Sequence, residues 1–281
     1  MTSQDDMQIG QQKINPRRGK MIAVCSAKGG IGRTTLTVNL AVALRKKNVS
    51  VAILDGDFQF GDVNLAMDLK NSLTIKEVIE GIVTLDEHNL PDYLTVHESG
   101  VNVLPAPERP EFADLVSSEA VQKVLDVMLI QHDFVVVDTP VGLNEQTLQY
   151  LEKADQIHVV TNLEMAALKN TKLFLETLEI LGLRSRSRVV INRANMESVI
   201  NAGDAAKILS EENPIYIPND FQICSQSINL GVPFVMKHSK SNVAKGVFKM
   251  AELVSSENKV TPIKTKKKNS PLSKWFSKKR T

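Results

Sequence analysis

The sequence predicts a doubly wound α/β fold, in which a mostly parallel sheet carries helices on both faces. Three observations point to it. Short β-branched apolar runs alternate with longer helical patterns along the chain. Several of the runs, such as FVVV before Asp138, are apolar throughout rather than alternating, as in strands buried on both faces. A glycine-rich turn joins the first run to the first helical pattern.

In chain order, the apolar runs predict strands at 21–26, 51–55, 101–104, 134–138, 157–161, 188–192 and 215–218. The helical patterns lie between and after them, at 34–47, 75–82, 118–130, 144–153, 166–181, 204–209 and 242–254. Residues 1–20 read as a polar extension, 21–257 as the folded domain, 258–269 as a lysine-rich linker and 270–281 as a separate terminal segment. The sequence has no internal repeat.

The chain has 281 residues, 42% of them apolar, which suits one large domain of about 200–250 residues with tails. No stretch approaches the roughly 18 apolar residues of a spanning helix, and the first 20 residues lack the apolar region of a secretory signal. Cys25 and Cys224 are the only cysteines, which excludes a disulfide framework and any CxxC site and leads us to expect a reducing cytosol. The net charge of +2 hides a division. Residues 258–281 hold nine Lys and Arg and no Asp or Glu, so the other 257 residues carry 25 basic and 32 acidic side chains, a net of −7. Such a block of like charge reads as an interaction tail.

The most informative segment is Ala27-Lys28-Gly29-Gly30-Ile31-Gly32-Arg33-Thr34-Thr35, between the strand MIAVCS and the helix TTLTVNLAVALRKK. Glycines let backbone N–H groups approach an anion, and the helix N-terminus adds a favourable dipole. The Thr34 hydroxyl stands where a phosphate loop holds Mg²⁺. The usual GxxxxGK[ST] pattern is broken twice, by Ala27 for the first glycine and by Arg33 for the lysine.

KGGIGRTT resembles the deviant Walker A motif, KGGxGK[ST]T, of the MinD/ParA ATPases, and the resemblance extends over about residues 20–255. It implies a P-loop fold, ATP and Mg²⁺ as ligands, and a homodimer closed around two ATP molecules. Gly29, Gly30, Ile31, Gly32, Arg33, Thr34 and Thr35 would then cradle the nucleotide, and Lys28 would reach the partner's nucleotide as an arginine finger does elsewhere. Arginine binds phosphate, often through two hydrogen bonds, but it is not interchangeable with the P-loop lysine, so a slow hydrolysis is expected. By the same resemblance, LDGD (54–57) is the first switch, with Asp57 orienting the attacking water and Asp55 supporting the metal shell. FVVVDTPVG (134–142) is the Walker B strand, with Asp138 holding Mg²⁺ or its water. VINRAN (190–195) and IPND (217–220) are similar to the family's base-binding loops, which makes Asn192, Pro218 and Asp220 the adenine-pocket candidates.

Two isolated cysteines set aside the iron–sulfur carriers of this fold, and three scattered tyrosines set aside its tyrosine kinases. The segments DFQFGDVNLAMDL, LPAPERPEFADLV and NLEMAALKNTKLFLETLEILG most resemble the CpaE/TadZ branch, which serves Tad-type pili. That branch implies an ATP-driven dimerisation switch that positions a pilus or secretion apparatus. The alternatives are a non-hydrolysing nucleotide-dependent scaffold and a flagellar, division-site or DNA-partition ATPase. Finally, Ser270-Pro271 opens a helical pattern in which Leu272, Trp275 and Phe276 share one face and lysines the other. Such a segment is expected to anchor the protein reversibly to anionic lipid on the inner face of the cell membrane.

Overall fold

The computed structural model describes residues 18–70 and 72–256. The polar N-terminal residues up to 17, the lysine-rich linker and the terminal segment with Leu272, Trp275 and Phe276 lie outside the described residues.

Eight strands form one sheet. They are β1 (Lys20–Ser26), β2 (Val51–Asp55), β3 (Thr95–Val96), β4 (Asn102–Leu104), β5 (Phe134–Asp138), β6 (Gln156–Thr161), β7 (Ser187–Asn192) and β8 (Ile215–Ile217). Their order is β3-β4-β2-β5-β1-β6-β7-β8, and every pairing is parallel except that of β3 with β4. The helices are α1 (Arg33–Leu44), α2 (Val63–Ala66), α3 (Ile75–Glu80), α4 (Ser118–Gln131), α5 (Glu145–Lys153), α6 (Met165–Ile180), α7 (Ala202–Ile208), α8 (Phe221–Leu230), α9 (Phe234–Lys237) and α10 (Asn242–Ser256).

Strands β2, β5 and β6 are buried at every position, and β1 at all but Lys20, because helices cover both faces. On one face Leu36, Leu40 and Leu44 of α1 join Val243, Val247 and Met250 of α10 over Ile22, Ile53 and Val136. On the other, Val124 and Met128 of α4, Leu151 of α5 and Leu168 of α6 pack over Ala23, Leu54 and Val137. The chain leaves β1 toward β2 on one side and later fills β6, β7 and β8 on the other, so the crevice beyond the strand ends opens there. Open α/β sheets place ligands in that crevice.

The seven predicted strands and seven predicted helices are present; 51–55 and 134–138 have the predicted bounds, and the others have shifted ends. The strand read from Met21 begins at Lys20, and the neighbouring residues are tied in: Arg18 pairs with Asp155 at 3.1 Å and the Gly19 amide donates to the Leu129 carbonyl at 2.7 Å. The folded part therefore starts before the boundary drawn at residue 20. Helix α1 stops at Leu44, three residues short of the pattern read to Lys47. Three helices and the edge strand β3 went unread. α2, α9 and β3 span four, four and two residues, too short to show a period. α8 had visible punctuation, with Asp220 accepting from the Ile223 amide at its start and Gly231 left-handed at its end. Among the described residues no helix is long and apolar enough to cross a membrane.

Candidate functional site

The turn from β1 into α1 is shaped by glycine where no other residue fits well. Gly30 and Gly32 have φ of 73° and 94°. A Cβ on Gly32 would also stand 2.6 Å from Nδ2 of Asn192, which donates to the Ile31 carbonyl at 2.8 Å. The end of β7 thus clamps the turn from outside. Gly32 caps α1 without a side-chain hydrogen bond, which leaves the first amides of a 12-residue helix free to face an anion.

Below the turn, β2 and β5 run in register with Asp55 beside Asp138. Asp138, 1% exposed, accepts from the Thr34 hydroxyl at 2.6 Å and from the Thr37 hydroxyl at 3.1 Å. Burial raises its pKa to about 6, against the opposing effect of the Thr34 hydroxyl and the Arg33 charge. Asp55 is fully buried, and burial together with the neighbouring Asp138 carries its pKa well above the usual carboxylate range. Its two oxygens accept from the Asp57 amide at 3.2 Å and the Val63 amide at 3.1 Å. Gly61 packs so closely that a Cβ there would lie 2.3 Å from the Asp55 carboxylate.

Asp55 is held by its own loop rather than facing the space in front of the turn. Both of its oxygens are engaged by the loop 57–63, and it does not line the chamber in front of the turn. Asp138 and Thr34 do line it, and they present the oxygen donors that suit a hard divalent cation. Among the described residues no group of three His, Cys, Asp or Glu could hold a metal unaided. That fits Mg²⁺, which is usually shared between one or two carboxylates and substrate phosphates.

The predicted cations fall in different places. The Arg33 guanidinium lines the chamber, with Nη2 3.7 Å from Oδ2 of Asp57, and both side chains are mostly covered. Its Nη1 is buried with no hydrogen-bond partner among the described residues. Lys28 turns away and pairs with Glu164 at the opening of α6. It lines neither the phosphate chamber nor the cavity next to it.

That second cavity, of about 190 Å³, is lined by Asn192, Pro218 and Asp220, so the structure brings together the three residues read as the adenine pocket. Gly32, Thr35, Arg193 and Ile228 line both spaces, so the two adjoin. Sequence reasoning missed Arg193. Its φ is 54°, uncommon for a side-chain-bearing residue, and its Nη2 reaches the Gly30 carbonyl at 3.5 Å. The only signal was its place next to Asn192 in VINRAN. Thr37 and Glu164 were missed too, since each takes its role from contacts distant in sequence.

A family model described as an AAA domain matches residues 19–191, more than half of the chain. An uncharacterized ATP-binding protein of Methanocaldococcus jannaschii is 28% identical over 257 residues, covering 91% of this chain and 94% of its own. The septum site-determining protein MinD of Thermotoga maritima is 27% identical over 249 residues, covering 85% and 89%. Among solved structures, a ParA family ATPase of Chlorobium tepidum TLS superposes with a TM-score of 0.78 at 22% identity, covering 84% of this chain and 99% of that one. With its glycine turn, its clamped helix start and its carboxylates at adjoining strand ends, the chain belongs to this AAA domain family and is similar over most of its length to a MinD and a ParA family ATPase.

Proposed function

We propose that the protein is an ATP-dependent dimerisation switch that binds ATP with Mg²⁺, hydrolyses it to ADP and phosphate, and positions a pilus or secretion apparatus. The observation that carries the dimer is the place of Lys28. A lysine embedded in a phosphate loop that lines neither chamber of its own subunit is available to a second subunit's nucleotide. Phosphoryl transfer asks a protein mainly for positioning and charge stabilisation. Gly29 to Thr35 hold the phosphates, Asp138 and Thr34 hold the metal, and Asp57 orients the water. Asn192, Pro218 and Asp220 surround the base. Mg²⁺ supplies charge neutralisation at the phosphates.

Sedimentation with ATP and Mg²⁺ tests the switch. A dimer is expected with ATP and not with GTP or ADP, and Asp57→Ala, added to stop turnover, sharpens it. A monomer under all three nucleotides overturns the proposal. The finer assignment, to the CpaE/TadZ branch and its pili, rests on the sequence segments quoted above. Finding genes for a secretion ATPase and pilins beside this one would support it, and their absence would argue for a division-site or partition role.

One feature favours a second reading, a scaffold that binds ATP without cleaving it. Arg33 replaces the P-loop lysine and engages Asp57, the residue assigned to the water. Phosphate release separates the two. Turnover by wild type or Arg33→Lys above an Asp57→Ala control supports the enzyme, and its absence supports the scaffold. Membrane association through Leu272, Trp275 and Phe276 is proposed from the sequence alone. Trp275→Glu with Phe276→Glu is expected to release the ATP form from anionic vesicles; a double mutant that still sediments, with wild type also binding neutral vesicles, overturns it.

A further inference from the structure

Asp57 lines the phosphate chamber, and the peptide unit that leads into it is held at both ends. The Asp57 amide donates to Oδ1 of Asp55 at 3.2 Å. At the other end of the same unit, the Gly56 carbonyl accepts from Nε2 of Gln146 at 2.8 Å and from the Tyr150 hydroxyl at 3.4 Å. Gln146 also donates to the Tyr150 hydroxyl at 3.0 Å, so the three groups close a triangle. A peptide unit is planar and does not rotate about its C–N bond. Fixing its carbonyl and its N–H therefore fixes the direction in which the chain enters Asp57.

Both donors stand one turn apart on α5, which begins after the loop that follows Asp138. Tyr150 is fully buried, and burial above all pushes its pKa up, so the hydroxyl remains a donor. Its ring is also the seat of Gly56. A Cβ there would stand 2.8 Å from the Tyr150 ring and 2.8 Å from the Asp138 carbonyl, which already accepts from the Gly56 amide at 2.8 Å. Gly56 is thus pressed between the end of β5 and α5, with no room for a side chain. Gln146 itself lines neither the phosphate chamber nor the cavity beside it.

We propose that Gln146, braced by Tyr150, is a positioning residue for ATP hydrolysis, which acts through the Gly56 carbonyl to set Asp57 at the attacking water. The proposal rests on the reading of Asp57 given above and names the group outside the chamber that aims it. Because α5 grows out of the loop after Asp138, the metal's carboxylate and the water's carboxylate are indexed to one segment. A reacting group misplaced by about 1 Å costs roughly 10²-fold in rate, so a modest loss of aim is measurable.

The test is steady-state phosphate release by the full-length protein with ATP and Mg²⁺, beside calorimetric binding of the non-hydrolysable triphosphate AMPPNP. Gln146→Met keeps the length of the side chain and removes both hydrogen bonds that it donates. Its kcat is expected to fall about tenfold or more. KM for ATP and the affinity for AMPPNP are expected to stay within about twofold, the split that marks a loss confined to the transition state. Tyr150→Phe keeps the ring beneath Gly56 and removes the longer contact, so it should show the same split with a smaller loss. If Gln146→Met fails to melt cooperatively, Tyr150→Phe carries the test. An unchanged kcat, or turnover and AMPPNP affinity falling together, overturns the positioning role while hydrolysis by the wild type stands. A wild type that binds AMPPNP but releases no phosphate from ATP overturns the hydrolytic reading and this role together.

Discussion

The Thr34 hydroxyl donates to Oδ2 of Asp138 across 2.6 Å, which joins the first turn of α1 to the end of β5. Thr34→Val keeps the shape and removes the donor, leaving a buried carboxylate with the Thr37 hydroxyl at 3.1 Å. The expected loss is about 1–3 kcal/mol, the usual cost of depriving a buried acceptor of its partner. Urea unfolding followed by circular dichroism measures it. Thr34→Ser should restore most of the loss, and an unmoved midpoint for Thr34→Val would contradict the role given to this contact.

Gly30 and Gly32 give a matched pair of tests. Alanine at Gly30 meets nothing within 4 Å and suffers only from its φ of 73°, a penalty of about 1–2 kcal/mol. Alanine at Gly32 carries the same kind of strain at φ 94° and also strikes Asn192 at 2.6 Å. Gly32→Ala should therefore lower the melting temperature more than Gly30→Ala, and should weaken nucleotide binding more as well. The reverse order would show that the Asn192 clamp does not matter.

Lys28 and Glu164 pair at the surface, with side-chain exposures of 38% and 46%, so their contact adds little to folding. Lys28→Ala is expected to leave the unfolding midpoint unchanged while abolishing ATP hydrolysis and weakening the ATP dimer. Phosphate release and sedimentation on the same preparation check both halves. Unchanged turnover would reduce Lys28 to a loop cation.

His158 sits 2% exposed in β6, and its Nδ1 has no partner among the described residues. Burial above all, with help from the Arg188 charge, lowers its pKa from 6.5 to about 4. The unfolded chain therefore takes up a proton near pH 6.5 while the folded one stays neutral until about pH 4. Stability present above that window is lost as the pH falls through it, by about 3 kcal/mol at most. Denaturation at a series of pH values should show the wild type losing more than His158→Leu across this range. Parallel curves would assign the acid sensitivity elsewhere.

The strand runs and long helices were legible because each buries a continuous or periodic apolar face, as in FVVVD of β5 and the stripe of α4. The phosphate turn was legible because its glycines, its threonine and the helix behind it are contiguous. Asn192, Pro218 and Asp220 could be placed only by resemblance, because separate strand ends converge on the cavity. Asp55 shows the limit most clearly. The sequence places it after β2 but does not reveal that the Asp57 and Val63 amides engage both its oxygens. Arg193 was hidden for a similar reason, since its left-handed backbone and its reach to Gly30 depend on two loops meeting.

The strand order has a consequence for the chain as it emerges from the ribosome. β1 is made first, yet its sheet neighbours are β5 and β6, with Lys20 beside Phe134 and Ile22 beside Gln156. At a synthesis rate of about 5–20 residues per second, the apolar run MIAVC waits on the order of ten seconds for a strand to pair with. β2 waits too, though less long, because both its neighbours, β4 and β5, follow it. Nascent chains of this protein thus present unpaired, largely apolar strands for more than a hundred residues of synthesis, and their yield in a cell should depend on holding factors that cover such segments until β5 arrives.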